Sequence, residues 1–429
     1  MRPPARQPAS DAGLLASLRG LGRDGRLLFA TRVLRMFGYG FLAVVLVLYL
    51  DALGLDAPTI GAILTLTLIG DALISLWLTT RADRIGRRRV LVAGSLLVVG
   101  AGAVFATATW LPLLVLAATI GVISPTGNEV GPFLAVEQAA LSQATPDARR
   151  TPTFAWYNLA GYVATAVGAL GAGLVSQLLL GAGLAEADAY RVIVVGYAVV
   201  GLAMAAVFAR LSSAVEAPVA PARDDGIARR LGLGRSKGIV GRLSALFALD
   251  AFAGGFIPQS LMAYWFHLRF GVEPAVLGGI FFGANLLAAV SALSASRIAA
   301  RIGLVNTMVF THLPSNVFLI LVPLMPSLPL AIGVLLLRYT LSQMDVPTRQ
   351  SYVMAVVEPG ERSAAAGVTG IARTAGAAIS PALSAPLVAS ASASLAGLPF
   401  LIAGGLKIAY DLALWAAFRA RPAPEERVR

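Results

Sequence analysis

The chain has 429 residues, of which 57% are hydrophobic and 13% charged, against roughly 45–50% and 25% in an ordinary soluble protein. This excludes a soluble globular domain, because each membrane-spanning helix uses about 20 apolar residues and about a dozen of them would use most of the apolar content here. The formal charge of +12 does not point to nucleic acid, since the basic residues lie between apolar runs instead of clustering with aromatics on a soluble face.

The first 26 residues mix Pro, Arg and Gly with short apolar stretches. They lack a small-residue cleavage site behind a short apolar core, so 1–26 is expected to remain as a cytoplasmic arm. Apolar runs follow at about 27–50, 58–80, 90–109, 111–141, 153–180 and 190–212, giving six spans in a first bundle over 27–213. Residues 214–240 break the pattern with Pro, Gly and charge and read as a cytoplasmic linker. Six more runs lie at about 241–266, 274–296, 303–325, 328–357, 364–393 and 396–418, making a second bundle over 241–418, and 419–429 is a polar cytoplasmic tail. The expected fold is an all-α integral membrane protein, with twelve transmembrane helices in two pseudo-symmetric six-helix bundles around a central cavity.

Arginines set the orientation. The loop at 81–89 holds Arg81, Arg84, Arg87, Arg88 and Arg89, the next alternate loop adds Arg149 and Arg150, and the linker adds Arg223, Arg229, Arg230, Arg235 and Lys237. The intervening loop at 51–57 has only Asp51 and Asp56. A multi-pass protein of the cell inner membrane with both termini in the cytoplasm follows. Cysteine is absent, which removes disulfides, thiolate metal sites and thiol nucleophiles.

The two halves match without a gap when Gly54 is set over Gly271. The stretch Gly54-Leu-Asp-Ala-Pro-Thr-Ile-Gly61 then lies over Gly271-Val-Glu-Pro-Ala-Val-Leu-Gly278, and Arg84-Ile85-Gly86 over Arg301-Ile302-Gly303. A parallel repeat of two six-span halves is the architecture of a transporter that rocks about a midplane site.

Ala82-Asp83-Arg84-Ile85-Gly86-Arg87-Arg88, between spans 2 and 3, resembles the D-R-x-G-R-R core of the signature loop of the major facilitator superfamily. Together with the twelve spans, the linker and the repeat, the resemblance covers nearly the whole chain. Thr79 stands where that loop usually has a glycine. The resemblance implies a cytoplasmic latch in which Asp83 caps span 11 near Ser363, Arg84 reaches an acid on span 4, for which Glu137 is the candidate, and Gly86, Arg87 and Arg88 complete the loop. Positive-inside topology alone is the other reading of these arginines. The resemblance also implies that spans 1, 4, 7 and 10 line the cavity.

Each ionisable residue at a helix centre costs about 2.5–3.5 kcal/mol on insertion scales and is a functional hypothesis by default. The embedded acids are Asp71, Glu129, Asp250, Asp345 and Asp411, and the embedded bases are Arg35, Arg338, Arg349, Arg373 and Lys407. On span 10, Arg338, Ser342, Asp345, Arg349 and Tyr352 step by four and three along one stripe. Substrate-binding candidates are Arg35, Tyr39, Asn158, Asp250, Arg338, Ser342, Asp345 and Arg373, with an Arg35–Asp250 contact across the halves. Proton-coupling candidates are Glu129, Asp345 and Asp71. Glu129 sits among two prolines and two glycines at 124–132, where a broken helix can hold a proton site; its other reading is an ionised partner for Arg35. Lys407 and Asp411 read as a structural i,i+4 pair, and His312 as a packed polar residue or a minor proton carrier. The glycines Gly161, Gly168, Gly171 and Gly173 allow close helix contact.

There is no G-x-x-x-x-G-K-[ST], G-x-S-x-G or H-E-x-x-H. An ATP pump, a hydrolase and a metalloenzyme are thus disfavoured, and no cofactor is expected beyond a proton or ion gradient. The expected function is secondary active transport of a small organic solute by alternating access, as proton-coupled export. The alternative is import, exchange or uniport of an organic anion, which the arginines would suit, and a non-transporting sensor or scaffold comes last. The expected partners are the solute and the lipid bilayer, with the protein a monomer.

Overall fold

The computed structural model describes residues 21–216, 234, 236–358 and 361–421. Most of the 1–26 arm, Arg223, Arg229, Arg230 and Arg235 of the linker, the end of the tail and the side chains of Arg149 and Ser363 lie outside the described residues. In chain order the helices are α1 (Arg23–Ala52), α2 (Ala57–Ile85), α3 (Arg87–Thr107), α4 (Leu111–Ile120), α5 (Phe133–Ala144), α6 (Asp147–Gly181), α7 (Glu186–Phe208), α8 (Lys237–Gly255), α9 (Gln259–Phe270), α10 (Pro274–Ile302), α11 (Leu304–Leu321), α12 (Leu328–Tyr339), α13 (Asp345–Val356), α14 (Arg362–Val388) and α15 (Ala393–Phe418).

Among the described residues, nine segments are long and apolar enough to cross a membrane, with α8–α9 taken as one. The pairs α4–α5 and α12–α13, together with α14, complete twelve spans. Spans 4, 7 and 10 are each broken in two. In span 4 the break covers 121–132, where Pro125 and Pro132 cannot donate to a helical ladder. In span 7 it falls at Phe256–Pro258, and in span 10 at 340–344, just before Pro347, which has no N–H for the carbonyl of Gln343. The span 10 stripe therefore does not run along one helix as the spacing suggested. Arg338 closes α12, Ser342 stands in the turn, and Asp345, Arg349 and Tyr352 lie on α13.

Unwound backbone at membrane depth survives only inside protein or against a water-filled cavity. The span 4 break finds its partners inside the bundle. The Tyr39 hydroxyl donates to the Val130 carbonyl at 2.9 Å, the Tyr197 hydroxyl to that of Val122, and the Gly131 amide to Asp71 Oδ1 at 2.6 Å.

The internal repeat is visible in the backbone. Both α2 and α10 are 29 residues long, and they occupy the same register in the two halves. Each ends on a glycine with positive φ, Gly86 at 106° and Gly303 at 86°, a conformation that side chains with a Cβ rarely adopt. The chain turns there and enters α3 or α11 at once.

Within the first half, α1 packs along α6 and α3 along α7; within the second, α8 packs along α14 and α11 along α15. The halves join through α6 on α10 and α2 on α14. The tightest approaches lie away from the arginine-rich loop. A Cβ added to Gly173 would stand 2.3 Å from the Pro274 carbonyl oxygen and 2.8 Å from Gly278 Cα, and one on Gly61 would stand 2.8 Å from the Pro381 oxygen. Ala382 N donates to Thr65 Oγ1 at 3.0 Å, Ser260 N to the Pro125 carbonyl at 3.1 Å, and the Tyr264 hydroxyl to Asp51 at 2.8 Å. The two broken helices α4–α5 and α8–α9 thus touch where the halves are closed.

Candidate functional site

Among the described residues, each half carries a buried ionic cluster. In the first half, Arg35 is fully buried and donates through Nη1 and Nη2 to Glu137 at 2.7 and 2.6 Å, and through Nε to Glu129 at 2.7 Å. Glu137 also accepts from Thr31 at 2.8 Å and from the Tyr157 hydroxyl. Arg32 pairs with Glu129 and lies over the Tyr157 ring. Two arginines thus face two glutamates, a charge balance that lets the group sit in a low-dielectric interior. Glu137 is completely enclosed, whereas Glu129, on the unwound segment, keeps 16% of its side chain exposed.

The second cluster is centred on Asp250 of α8. Its Oδ1 accepts from Lys407 Nζ of α15 at 2.5 Å, and His312 Nε2 of α11 stands 4.0 Å from the same oxygen. Its Oδ2 takes Arg349 Nη1 of α13 at 3.2 Å and faces Arg373 Nη1 of α14 at 3.5 Å. Arg349 also donates to Asp345 at 3.0 Å. Behind the hub, His312 Nδ1 meets Asp411 Oδ1 at 2.9 Å, and Asn316 Nδ2 donates to Asp411 Oδ2 at 2.9 Å.

This geometry corrects several expectations. Arg35 and Asp250 do not meet across the halves, because each is saturated by partners in its own half. Glu137 does not serve Arg84: its oxygens are taken by Arg35, Thr31 and Tyr157, while Arg84 is exposed at the loop. Asp83 does not cap span 11 here. Its carboxylate is 66% exposed and accepts from Arg87 Nε at 2.9 Å, and the first turn of α14 has no side-chain cap. The loop is instead tied to its own half. The amides of Arg87 and Arg88 donate to Glu216, a carboxylate at a helix N-terminus, and Arg87 Nη1 reaches Gln143 and the Val215 carbonyl. Gly86 supplies the turn before them. Lys407 and Asp411 are not paired with each other, since Lys407 points to Asp250 and Asp411 to His312.

Of the other candidates, Tyr39 is buried and held by Val130, so its hydroxyl is occupied by backbone. Asn158 is exposed on α6. Asp71 is buried, bonded to the Gly131 amide and Ser75. Ser342 is buried with its hydroxyl unbonded. Arg338 lies over the Tyr339 ring with Nε lacking a hydrogen-bond acceptor, and Arg373 Nη1 likewise lacks one. The triad His312, Asn316 and Asp411 was missed as a unit. Its signal was present, because His312 and Asn316 are four apart on span 9 and Lys407 and Asp411 four apart on span 12, two polar stripes on helices that pack together.

Residues 28–381 match the family model of the Major Facilitator Superfamily. The chain is 31% identical over 424 residues to the uncharacterized membrane protein YJR124C of Saccharomyces cerevisiae, covering 92% of this chain and 94% of that one. Among solved structures it is similar to a D-xylose–proton symporter (TM-score 0.72, 15% identity, 94% of this chain and 99% of that one) and to the nucleoside transporter NupG (0.69, 16%, 93% and 100%). It is also similar to the human organic anion transporter TETRAN (0.58, 19%, 91% and 99%).

Proposed function

The chain belongs to the major facilitator superfamily, a family of membrane transporters, and from that premise we propose that it moves a small organic anion by alternating access, driven by protons. The observation that carries the reading is Arg373. Its side chain is about one-third exposed, its Nη1 has no hydrogen-bond acceptor, and among the described residues its acid contact is Asp250 Oδ2 at 3.5 Å, on a carboxylate that already holds a lysine and another arginine. Arg338, with its unbonded Nε, is the second anion contact. A buried guanidinium nitrogen left without an acceptor favours a carboxylate or phosphate that can supply one.

With the arginine-rich loop on the cytoplasmic side, the contacts Gly173–Gly278, Thr65–Ala382 and Ser260–Pro125 lie at the outer end and hold the halves together there. Rocking of one half on the other would open α6 from α10 and α2 from α14. The protein works as a monomer in the inner membrane, with both termini in the cytoplasm and no cofactor beyond the proton gradient.

Proton-coupled export is the second reading. It is favoured by the signature loop, which resembles that of drug and metabolite exporters, and by Glu129, a partly exposed carboxylate on an unwound segment, which can exchange a proton without unfolding a helix. Flux in proteoliposomes under an imposed pH gradient decides between them. Uptake of organic anions that collapses in Arg373→Gln supports the first reading. Flux of cationic or neutral solutes opposite to the protons, lost in Glu129→Gln, would replace it with the second.

A further inference from the structure

The Asp250 cluster contains more than a transporter of anions alone requires. Asp250, Asp345 and Asp411 are matched by Lys407, Arg349 and Arg373, and His312 is the seventh member. All but Arg373 are buried. With His312 neutral, the cluster carries equal numbers of positive and negative charges. A proton on His312 adds an uncompensated positive charge, and an anion on Arg373 adds an uncompensated negative one. Either alone is costly at this depth, and both together restore the balance.

The connecting atom is Asp250. Its Oδ1 is addressed by Lys407 and, at 4.0 Å, by His312 Nε2, while its Oδ2 is addressed by Arg349 and, most loosely, by Arg373. His312 Nδ1 is engaged with Asp411, which Asn316 holds from its other oxygen. A proton arriving at Nε2 therefore points at Asp250. A carboxylate that gains a third close cation holds its most distant one less firmly, and Arg373 is that one. We propose that His312 is a proton site coupled through Asp250 to an anion site at Arg373, so that one proton and one anionic solute bind together. The proposal rests on reading the chain as a transporter of anions and names where its proton is carried.

The groups facing His312 are consistent with this assignment. Span 12 presents Asp411, Lys407 and the Tyr410 ring, whose centroid is 6.0 Å away. Span 7 presents Asp250, which links the imidazole to Arg349 and Asp345 of span 10 and to Arg373 of span 11. Span 8 and the first part of span 10, which also pack on α11, carry Arg297 and Arg301, both exposed toward the loop end, and Arg338, which lies over Tyr339.

The chain has two histidines, His267 and His312, so ring-labelled histidine gives two NMR signals, and His267→Gln assigns them. In the wild type the His312 signal is expected to move with pH, because histidine is the side chain whose charge changes nearest physiological pH. Excess benzoate, used as a small carboxylate probe, raises its midpoint, as reciprocal linkage requires. In Arg373→Gln the midpoint rises by roughly one pH unit, because a nearby positive charge is gone, and benzoate no longer moves it; Arg373→Lys, which keeps the charge, stays near the wild-type midpoint. A His312 signal that does not titrate, an equal midpoint in Arg373→Gln, or a wild-type midpoint indifferent to benzoate overturns the proposal. Benzoate flux in proteoliposomes is read separately. A coupled titration without proton-driven flux would count against the transport reading alone, and flux with an uncoupled His312 would count against the coupling alone.

Discussion

Glu137 accepts both terminal nitrogens of Arg35, at 2.7 and 2.6 Å, in a space from which both side chains are wholly shut off from solvent. Thr31 and Tyr157 complete its shell. A carboxylate with four donors and no route to water is a fixture of the bundle, whereas Glu129 is held by Arg32 and Arg35 and keeps 16% of its side chain exposed. Sequence position alone does not separate the two glutamates.

Glu137→Gln is accordingly expected to lower stability severely. Breaking a buried pair by removing one partner costs about 3–5 kcal/mol. Glu129→Gln should cost less and leave a folded protein. Unfolding of the two variants in detergent, followed by circular dichroism, checks the order, and equal losses would contradict the distinction.

Asp250 and Lys407 should behave as one unit in a double-mutant cycle. Asp250→Asn and Lys407→Met each strand a charge inside the membrane and are each expected to cost about 3–5 kcal/mol, while the double variant costs clearly less than their sum. Strict additivity in thermal unfolding would show that the 2.5 Å contact carries no coupling.

Gly173 permits the contact that closes the halves on the side away from the arginine loop, since any Cβ there collides with Pro274 and Gly278. Gly173→Leu is expected to disfavour the closed arrangement and shift the population toward its opposite. The chain has no cysteine, so spin labels on two introduced cysteines, one on the α6 end and one on the α10 end, report the separation directly. An unchanged distance distribution would show that this contact does not hold the closure.

Arg373→Gln should weaken binding of small organic anions at least tenfold, about 1.4 kcal/mol, without the folding loss predicted for Glu137→Gln. Ligand-dependent thermal stabilisation is the measurement, because it scales with occupancy of the folded state. Anions that stabilise the variant as well as the wild type would remove Arg373 from the site.

The helical architecture was legible in the residue pattern because a bilayer permits few alternatives: apolar runs of the right length must be helices, and their backbone groups must bond internally. The repeat was legible because Gly86 and Gly303 meet a local backbone demand that leaves its mark on residue type. The break in span 7 was not, because hydropathy averages over a span, and in span 10 Pro347 marked a bend without revealing where the ladder opens. For the site, the sequence marked which residues are costly to embed, and nearly all of the charges in the two clusters were on that account.

What the sequence by itself determined is thus the membrane fold, the twelve spans, the halves and the inventory of buried charge, since each follows from composition and from local stereochemistry. Only the tertiary structure decided the pairing. It sent Glu137 to Arg35 instead of Arg84, Lys407 to Asp250 instead of Asp411, and set His312 between two carboxylates. An embedded charge is stabilised by whichever opposite charge lies within a few ångströms, and that neighbour is chosen by how separate helices pack, which no spacing along a single helix encodes.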